Sequence, residues 1–250
     1  MIQGIYSLIA SAGISDFAMN VRANNLANIQ TVGFLSDEVI VRQRIINDTI
    51  FNNIYKPGYI EYLSGLVIDK TVTSLKKGRI ETTNNPLDFA VEGEDEFFTV
   101  EDEKGKYLTR AGNFAIDDEG FLVTQDKKYY VSGKSGRIKI DDVNSLISDS
   151  NGRLYIRGTL IDQLLIHKLT EKMPLVKLGD NLLEIPKEKV EVSDEPIVLH
   201  KHLEYANVEP LRELTRIIET QRAFEIAMNL VRIQDEMLER IATETTRVSI

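Results

Sequence analysis

Few residues in this sequence are equipped for chemistry, and none stands in a pattern that commits it to a reaction. There is no cysteine, which removes thiol nucleophiles, disulfides and thiolate metal sites together. Ser132-Gly133-Lys134-Ser135 carries the Gly-Lys-Ser end of a phosphate loop, but the pattern needs a glycine at 128, where Lys stands, and a helix to follow. It reads as a hairpin. His200 and His202 alternate, as two metal ligands on one face of a strand would, yet His167 is the only other histidine, so solvated strand histidines are the expectation. The acidic runs 92–96 and 101–103 lack the spacing of a calcium loop. No Gly-x-Ser-x-Gly nucleophile motif is present, and with 39 Asp and Glu no acid–base pair can be singled out. These residues by themselves assign no catalytic residue, cofactor, metal or small-molecule substrate, and they leave a carboxylate-based enzyme open.

The formal charge of −9 argues against a nucleic-acid-binding surface. No apolar run approaches a membrane span, and the opening Met-Ile-Gln-Gly-Ile-Tyr has no basic region, so no secretory signal or membrane insertion is expected. At 250 residues the chain can bury a sizeable core without a staple.

Residues 1–28 read as a helix that exits through Asn28 to Gly33, where Asn and Gly tolerate left-handed backbone. Between Ser36 and Phe51 the spacing of Val39, Ile40, Val41, Ile45, Ile46 and Ile50 suits helix or strand, and Lys56-Pro57-Gly58 closes the segment. From Tyr59 to His202 short alternating runs take over, punctuated by turn signals. The candidate strands are 66–72, 97–101, 106–110, 121–124, 129–131, 137–140, 153–156, 160–169 and 197–202. Lys104-Gly105, Asp117 to Gly120, Ser132-Gly133 and Asn151-Gly152 mark hairpins, the last as a type I′ dipeptide. With no helix between these strands, the sheets should be antiparallel. The expected class is α+β, with terminal helices (1–35 and 204–250), a connecting segment (36–58) and a β-rich centre (59–203).

The last helix, capped by Asn207 with Pro210 in its first turn, is the least ordinary element. Ile217, Gln221, Phe224, Met228, Val231, Asp235 and Leu238 follow a heptad. Ala223, Ile226, Leu230, Ile233 and Met237 form a second series, about 200° round the helix. A surface helix buries one stripe, so the second requires a second partner. Burying Ile226, Leu230, Ile233 and Met237 would contribute about 1.5 to 3 kcal/mol each. The alternative is a central helix wrapped by its own domain. With helices at both ends, the first stripe (Phe224, Met228, Val231) is assigned to the chain's own N-terminal helix and the second to neighbouring molecules.

Three stretches together resemble the bacterial flagellar axial proteins, the rod and hook family. The first is Ala23-Asn24-Asn25-Leu26-Ala27-Asn28 with Thr31, Gly33 and Phe34. The second is Asn85-Pro86-Leu87-Asp88, Phe97-Phe98, Tyr107-Leu108-Thr109-Arg110, Gly112-Asn113-Phe114 and Gly120 to Thr124. The third is Glu204, Asn207-Val208 and Gln221-Arg222-Ala223-Phe224-Glu225. Their length and single modest β-region are more similar to a rod protein than to a hook protein. The resemblance implies a structural subunit of the periplasmic rod, exported through the flagellar type III apparatus, whose helices pair as a coiled coil and polymerise helically with copies of itself and neighbouring rod proteins. The assembly residues it implies, together with the stripes, are Asn25, Leu26, Asn28, Gly33, Phe34, Gln221, Phe224, Ile226, Met228, Leu230, Val231, Ile233, Met237 and Leu238. The competing readings are a periplasmic wall-acting enzyme or ligand-binding β-domain, a hook-type protein, and a membrane-surface helix. The mixed charges Arg222, Glu225, Arg232, Glu236, Glu239 and Arg240 are a poor match to the last.

Overall fold

A computed structural model describes residues 2–44, 65–171, 175–179, 181–185 and 189–247. Its chain divides into two compact units, one of residues 1–26, 37–72 and 210–250, the other of residues 27–36 and 73–209.

The first unit is mainly helical. Helix α1 (Ile2–Ala27) and helix α2 (Pro210–Arg247) enclose, in chain order, strands β1 (Asp37–Arg44) and β2 (Gly65–Thr73), which pair with each other. Residues 37–44 thus take the strand alternative, with Arg42 bridged to Asp69 at 3.1 Å. The apolar positions Ile45, Ile46 and Ile50 and the Lys56-Pro57-Gly58 turn lie outside the described residues. Proline opens α2, where its missing N–H would have no partner in any case. Asn207 is not the cap expected for it, because its side chain is taken by backbone groups at 36, 74 and 76.

The second unit is all strand and turn. It comprises β3 (Ile80–Thr82), β4 (Phe89–Val91), β5 (Glu96–Glu101), β6 (Lys106–Thr109), β7 (Phe114–Ile116), β8 (Leu122–Thr124), β9 (Tyr130–Val131), β10 (Leu146–Ser148), β11 (Arg153–Ile156) and β12 (Thr159–Gln163). Then follow β13 (Ile166–Leu169), β14 (Lys177–Gly179), β15 (Leu182–Glu184), β16 (Val190–Val192), β17 (Val198–His200) and β18 (His202–Glu204). Every described pairing in this unit is antiparallel. The main sheet runs β14-β15-β6-β5-β9-β8-β7, with β13 joining β5 to β16, while β10-β11-β12, β4-β17 and β3-β18 form smaller ladders.

Strand β5 explains why the middle of the chain is so apolar. Successive strand residues face opposite sides, and here both sides are covered: Phe98 and Val100 enter the larger core with Phe89, Phe114 and Ile166, whereas Phe97 enters a second core with Leu35, Leu108 and Leu183. The run 160–169, expected as one strand, is two strands meeting at Leu164-Leu165. The run 197–202 breaks at Lys201, whose φ of 61° is left-handed and cannot continue a ladder. Residues 137–140 contribute only isolated bridges although Ile138 and Ile140 are buried, since alternation reports which side is covered and not whether a ladder forms. The type I′ turn falls at Arg157-Gly158, with φ of 52° and 80°, between β11 and β12. Asn151-Gly152 instead ends a loop in which the Asp149 carboxylate accepts from the N–H groups of Asn151 and Arg153.

Candidate assembly surface

In the helical unit, α1 and α2 lie antiparallel. A Cβ on Gly4 would meet the Gln234 amide at 3.3 Å, while at the other end Arg22 donates to Thr220 Oγ1 and, at 3.5 Å, to the carbonyl of Arg216. At seam spacing the shielded positions of α1 are Gly4, Leu8, Ser11, Ser15, Ala18, Arg22 and Asn25, beside which Ile5, Ala12, Ile14, Met19 and Val21 are also shielded, and those of α2 are Glu213, Ile217, Thr220, Phe224, Ala227, Val231, Gln234 and Leu238. Both series step by four and three, the spacing of a coiled-coil seam.

This seam corrects the sequence reading by one position in every second step. Gln221, Met228 and Asp235 face solvent, Met228 at 44% exposure, and Thr220, Ala227 and Gln234 take their places. Phe224, Val231, Leu238 and Ile217 stay on the seam, which is rotated by about 40° from the expected one. Among the described residues of the two helices, the buried apolar side chains are Ala12, Ala18 and Ala227, all alanine. On α2 a set of large ones points out: Ile226 is 60% exposed and Met237 54%, with Leu230 and Ile233 at 43%. The signal for this was present in α1, where Gly4, Ser11, Ser15 and Ala18 fall at seam spacing and invite close approach of a partner backbone.

The N-terminal signature is divided between structural jobs. Asn25 is buried, and its side-chain amide donates to the Asp37 carbonyl at 2.9 Å while its oxygen accepts from Asp37 N–H at 3.0 Å, so it holds the start of β1 as a neighbouring strand would. Leu26 is half-buried on the last turn of α1. In the β unit, the Asn28 carbonyl and side chain close a turn with Thr31. Gly33 has φ 68° and donates to the Glu204 carbonyl at 2.8 Å, and a Cβ there would meet Ala111 N at 2.1 Å, so no other residue fits. Phe34 packs with Ala206, Val208 and Ile29, under the Lys177 ammonium 4.6 Å from its ring.

Beneath this cluster lies a buried ion pair that patterning alone did not single out. Arg110 and Glu204, side chains 1% and 3% exposed, meet at 2.9 Å. Arg110 also donates to the carbonyls of Gly93 and Glu94 and sits 4.7 Å from the Phe97 ring, while Glu204 accepts from Gly78 N–H at 2.7 Å. One pair therefore ties β6, β18, the 93–94 turn and the 78 strap together. Asn207 continues the lacing by accepting from Ser36 N–H and donating to the carbonyls of Ser74 and Lys76.

The sites weighed for chemistry are occupied with structural bonds. The Ser135 N–H donates to the Asp162 carboxylate and the Lys134 N–H to the Gln163 carbonyl, so the Gly-Lys-Ser amides face a negative charge and not an anion site. His200 and His202 sit on separate strands, His200 Nε2 against the Pro86 carbonyl and His202 Nε2 against Thr82 Oγ1. Among the described residues no group of three or more His, Asp or Glu converges as a metal site. An open groove of about 680 Å³ is lined by the carboxylates Glu96, Glu191, Asp194 and Glu195 together with Lys168.

A β unit with a closed core, and a helix pair whose α2 carries exposed large apolar residues beyond its seam, define a protein with an apolar helical surface left over. The flagellar hook protein FlgE/F/G D1 domain matches residues 90–156, and the flagellar basal body rod FlgEFG protein C-terminal domain matches residues 200–244. The chain is 29% identical to the flagellar basal-body rod protein FlgF of Rhizobium meliloti over 98% of both chains. It is 28% identical to the rod protein FlgG of Bacillus subtilis, over 96% of this chain and 98% of that one, and 28% identical to FlgG of Buchnera aphidicola from Acyrthosiphon pisum, over 90% and 92%. Over nearly its whole length the chain is thus similar to the flagellar rod and hook proteins.

Proposed function

We propose that this chain is a structural subunit of the flagellar basal-body rod that polymerises through α1 and α2 and passes torque along packed helices, with no catalytic step. It meets copies of itself and adjoining rod proteins in the periplasmic part of the rod, which it reaches through the flagellar export apparatus. One observation carries the reading: besides the seam that faces α1, helix α2 exposes Ile226, Leu230, Ile233 and Met237, while the apolar side chain it fully buries is Ala227. An ordinary surface helix does the reverse. Rod is favoured over hook because the relatives matched over nearly the whole chain bear rod names.

The test is the pair Ile226→Glu and Ile233→Glu in one chain. Charge placed in a contact that must be desolvated costs more than the lost apolar area, so cells should be non-motile with an incomplete rod. The β unit should keep its circular-dichroism signal. Wild-type motility would return α2 to the role of an ordinary core helix. Changing Glu96, Glu191, Asp194 and Glu195 to their amides should leave motility unaltered and reveal no wall-degrading activity to lose; a lost activity would favour the enzyme reading. Antibody labelling of isolated basal bodies separates rod from hook.

A further inference from the structure

The outward apolar residues of α2 form two patches, not one stripe. Leu211, Leu214 and Ile218 are exposed on the first turns, Leu211 at 78%. Ile226, Leu230, Ile233 and Met237 lie further along, about 100° around the helix at 100° per residue. Each quadrant is charged where the other is apolar: beyond Ile218 the first continues as Arg222, Glu225 and Glu236, and ahead of Ile226 the second holds Arg212 and Glu219.

We propose that these patches are the two halves of one heterologous contact, the first patch of one copy packing on the second patch of the next copy, with α2 helices parallel. An open polymer needs two different, mutually fitting surfaces on each chain, and α2 carries such a pair. The charges fix the stagger. A shift of about fifteen residues, ~22 Å along the helix, lays Leu211, Leu214 and Ile218 against Ile226, Leu230 and Ile233. The same shift sets Glu225 beside Arg240, at the edge of the neighbouring copy's second patch, so opposite charges meet there. The proposal rests on the rod-subunit reading and adds which surface meets which.

Because the chain has no cysteine, engineered ones report without background. In motile cells carrying Ile218→Cys and Ile233→Cys on the same chain, oxidation of isolated basal bodies should give a ladder of dimers, trimers and higher species. Each single variant should stay monomeric. Should either cysteine impair motility, Leu214→Cys with Leu230→Cys reads the same contact. Dimers from a single variant would mean like patches meet, and no ladder would mean the patches do not meet; either overturns the proposal. A second readout is charge exchange: Glu225→Arg should shrink swim rings, and Glu225→Arg with Arg240→Glu should restore them. Failure of rescue overturns the stagger. The rod reading itself fails only if Ile226→Glu with Ile233→Glu leaves motility intact, so the two failures are distinct.

Discussion

The helical unit and the β unit solve the problem of stability in opposite ways. The β unit builds a closed core, with Phe89, Phe97, Leu108, Leu122 and Leu154 fully buried although Ile147, Leu160 and Ile197 stay exposed, and its deeply buried Arg110 meets a carboxylate and two carbonyls. The helical unit fully buries only alanine among its described apolar side chains and turns Ile226, Leu230, Ile233 and Met237 of α2 to solvent. Half-exposed leucine or isoleucine returns only part of its ~1.5–3 kcal/mol. A coiled coil with this seam is a weak pair alone. What separates the units is therefore not secondary structure but where stability comes from, within the chain or between chains.

The sharpest way to break the contrast is at Arg110. Arg110→Ala strands the Glu204 carboxylate in a dry site, and breaking a buried pair in this way costs about 3–5 kcal/mol. A urea melt should show the β unit losing that amount; a loss below about 1 kcal/mol would mean the pair is solvated and the β unit less self-sufficient than described. Next in size is Ala227→Leu, which overfills the seam by a few methylenes and should cost the helix pair about 1–3 kcal/mol. Limited proteolysis reads it. In the free wild-type chain α1 and α2 should be cut before residues 73–209, and the variant should speed those helix cuts while leaving the resistant fragment alone, because cleavage follows the population of the opened form. Equal resistance of both units would erase the distinction.

How far the sequence revealed this follows from the same contrast. Helix period is a strong signal over long segments, so α1 and α2 were legible nearly to their ends, and the alternation of 97–101 and 153–156 placed β5 and β11. Strands of three residues such as β7, β10 and β16 carry too few alternations to register, and β4 at Phe89-Ala90-Val91 is apolar without alternation because both its sides are covered. The seam was misjudged at Met228 because hydrophobicity was taken to mean burial. In α2 the small residue Ala227 goes in and the large Met228 goes out. The Arg110–Glu204 pair joins residues ninety-four positions apart, and only the resemblance drew attention to either. Asn25 was marked as an assembly residue, but the described bonds give it a job within the chain, holding Asp37.

The smallest expected effect is acid sensitivity, and it belongs to the β unit alone. His200 is stacked on Phe89 at 5.2 Å, its Nε2 facing the Pro86 carbonyl and its Nδ1 3.4 Å from the Ser148 N–H. Both bonds are made together only by the neutral ring, protonated at Nε2 and accepting at Nδ1. Burial lowers its pKa first, and the charges of Lys201 and His202 lower it further against the opposing pull of the Pro86 carbonyl. His167, whose Nδ1 lies 2.6 Å from Thr99 Oγ1, is lowered by burial and by Lys106. A histidine depressed in the folded state takes up its proton more readily when unfolded, where its pKa is about 6.5. Stability is therefore unaffected above that value and is lost as pH falls from it through the depressed folded values. Carboxylates also weaken acid stability, so the test is a difference: the melting temperature of His200→Gln should fall less between pH 7 and pH 5 than that of the wild-type chain. The glutamine amide carries no titrating charge at the same wall of the core. An identical fall would show that His200 titrates alike in both states and that its two bonds do not hold it neutral.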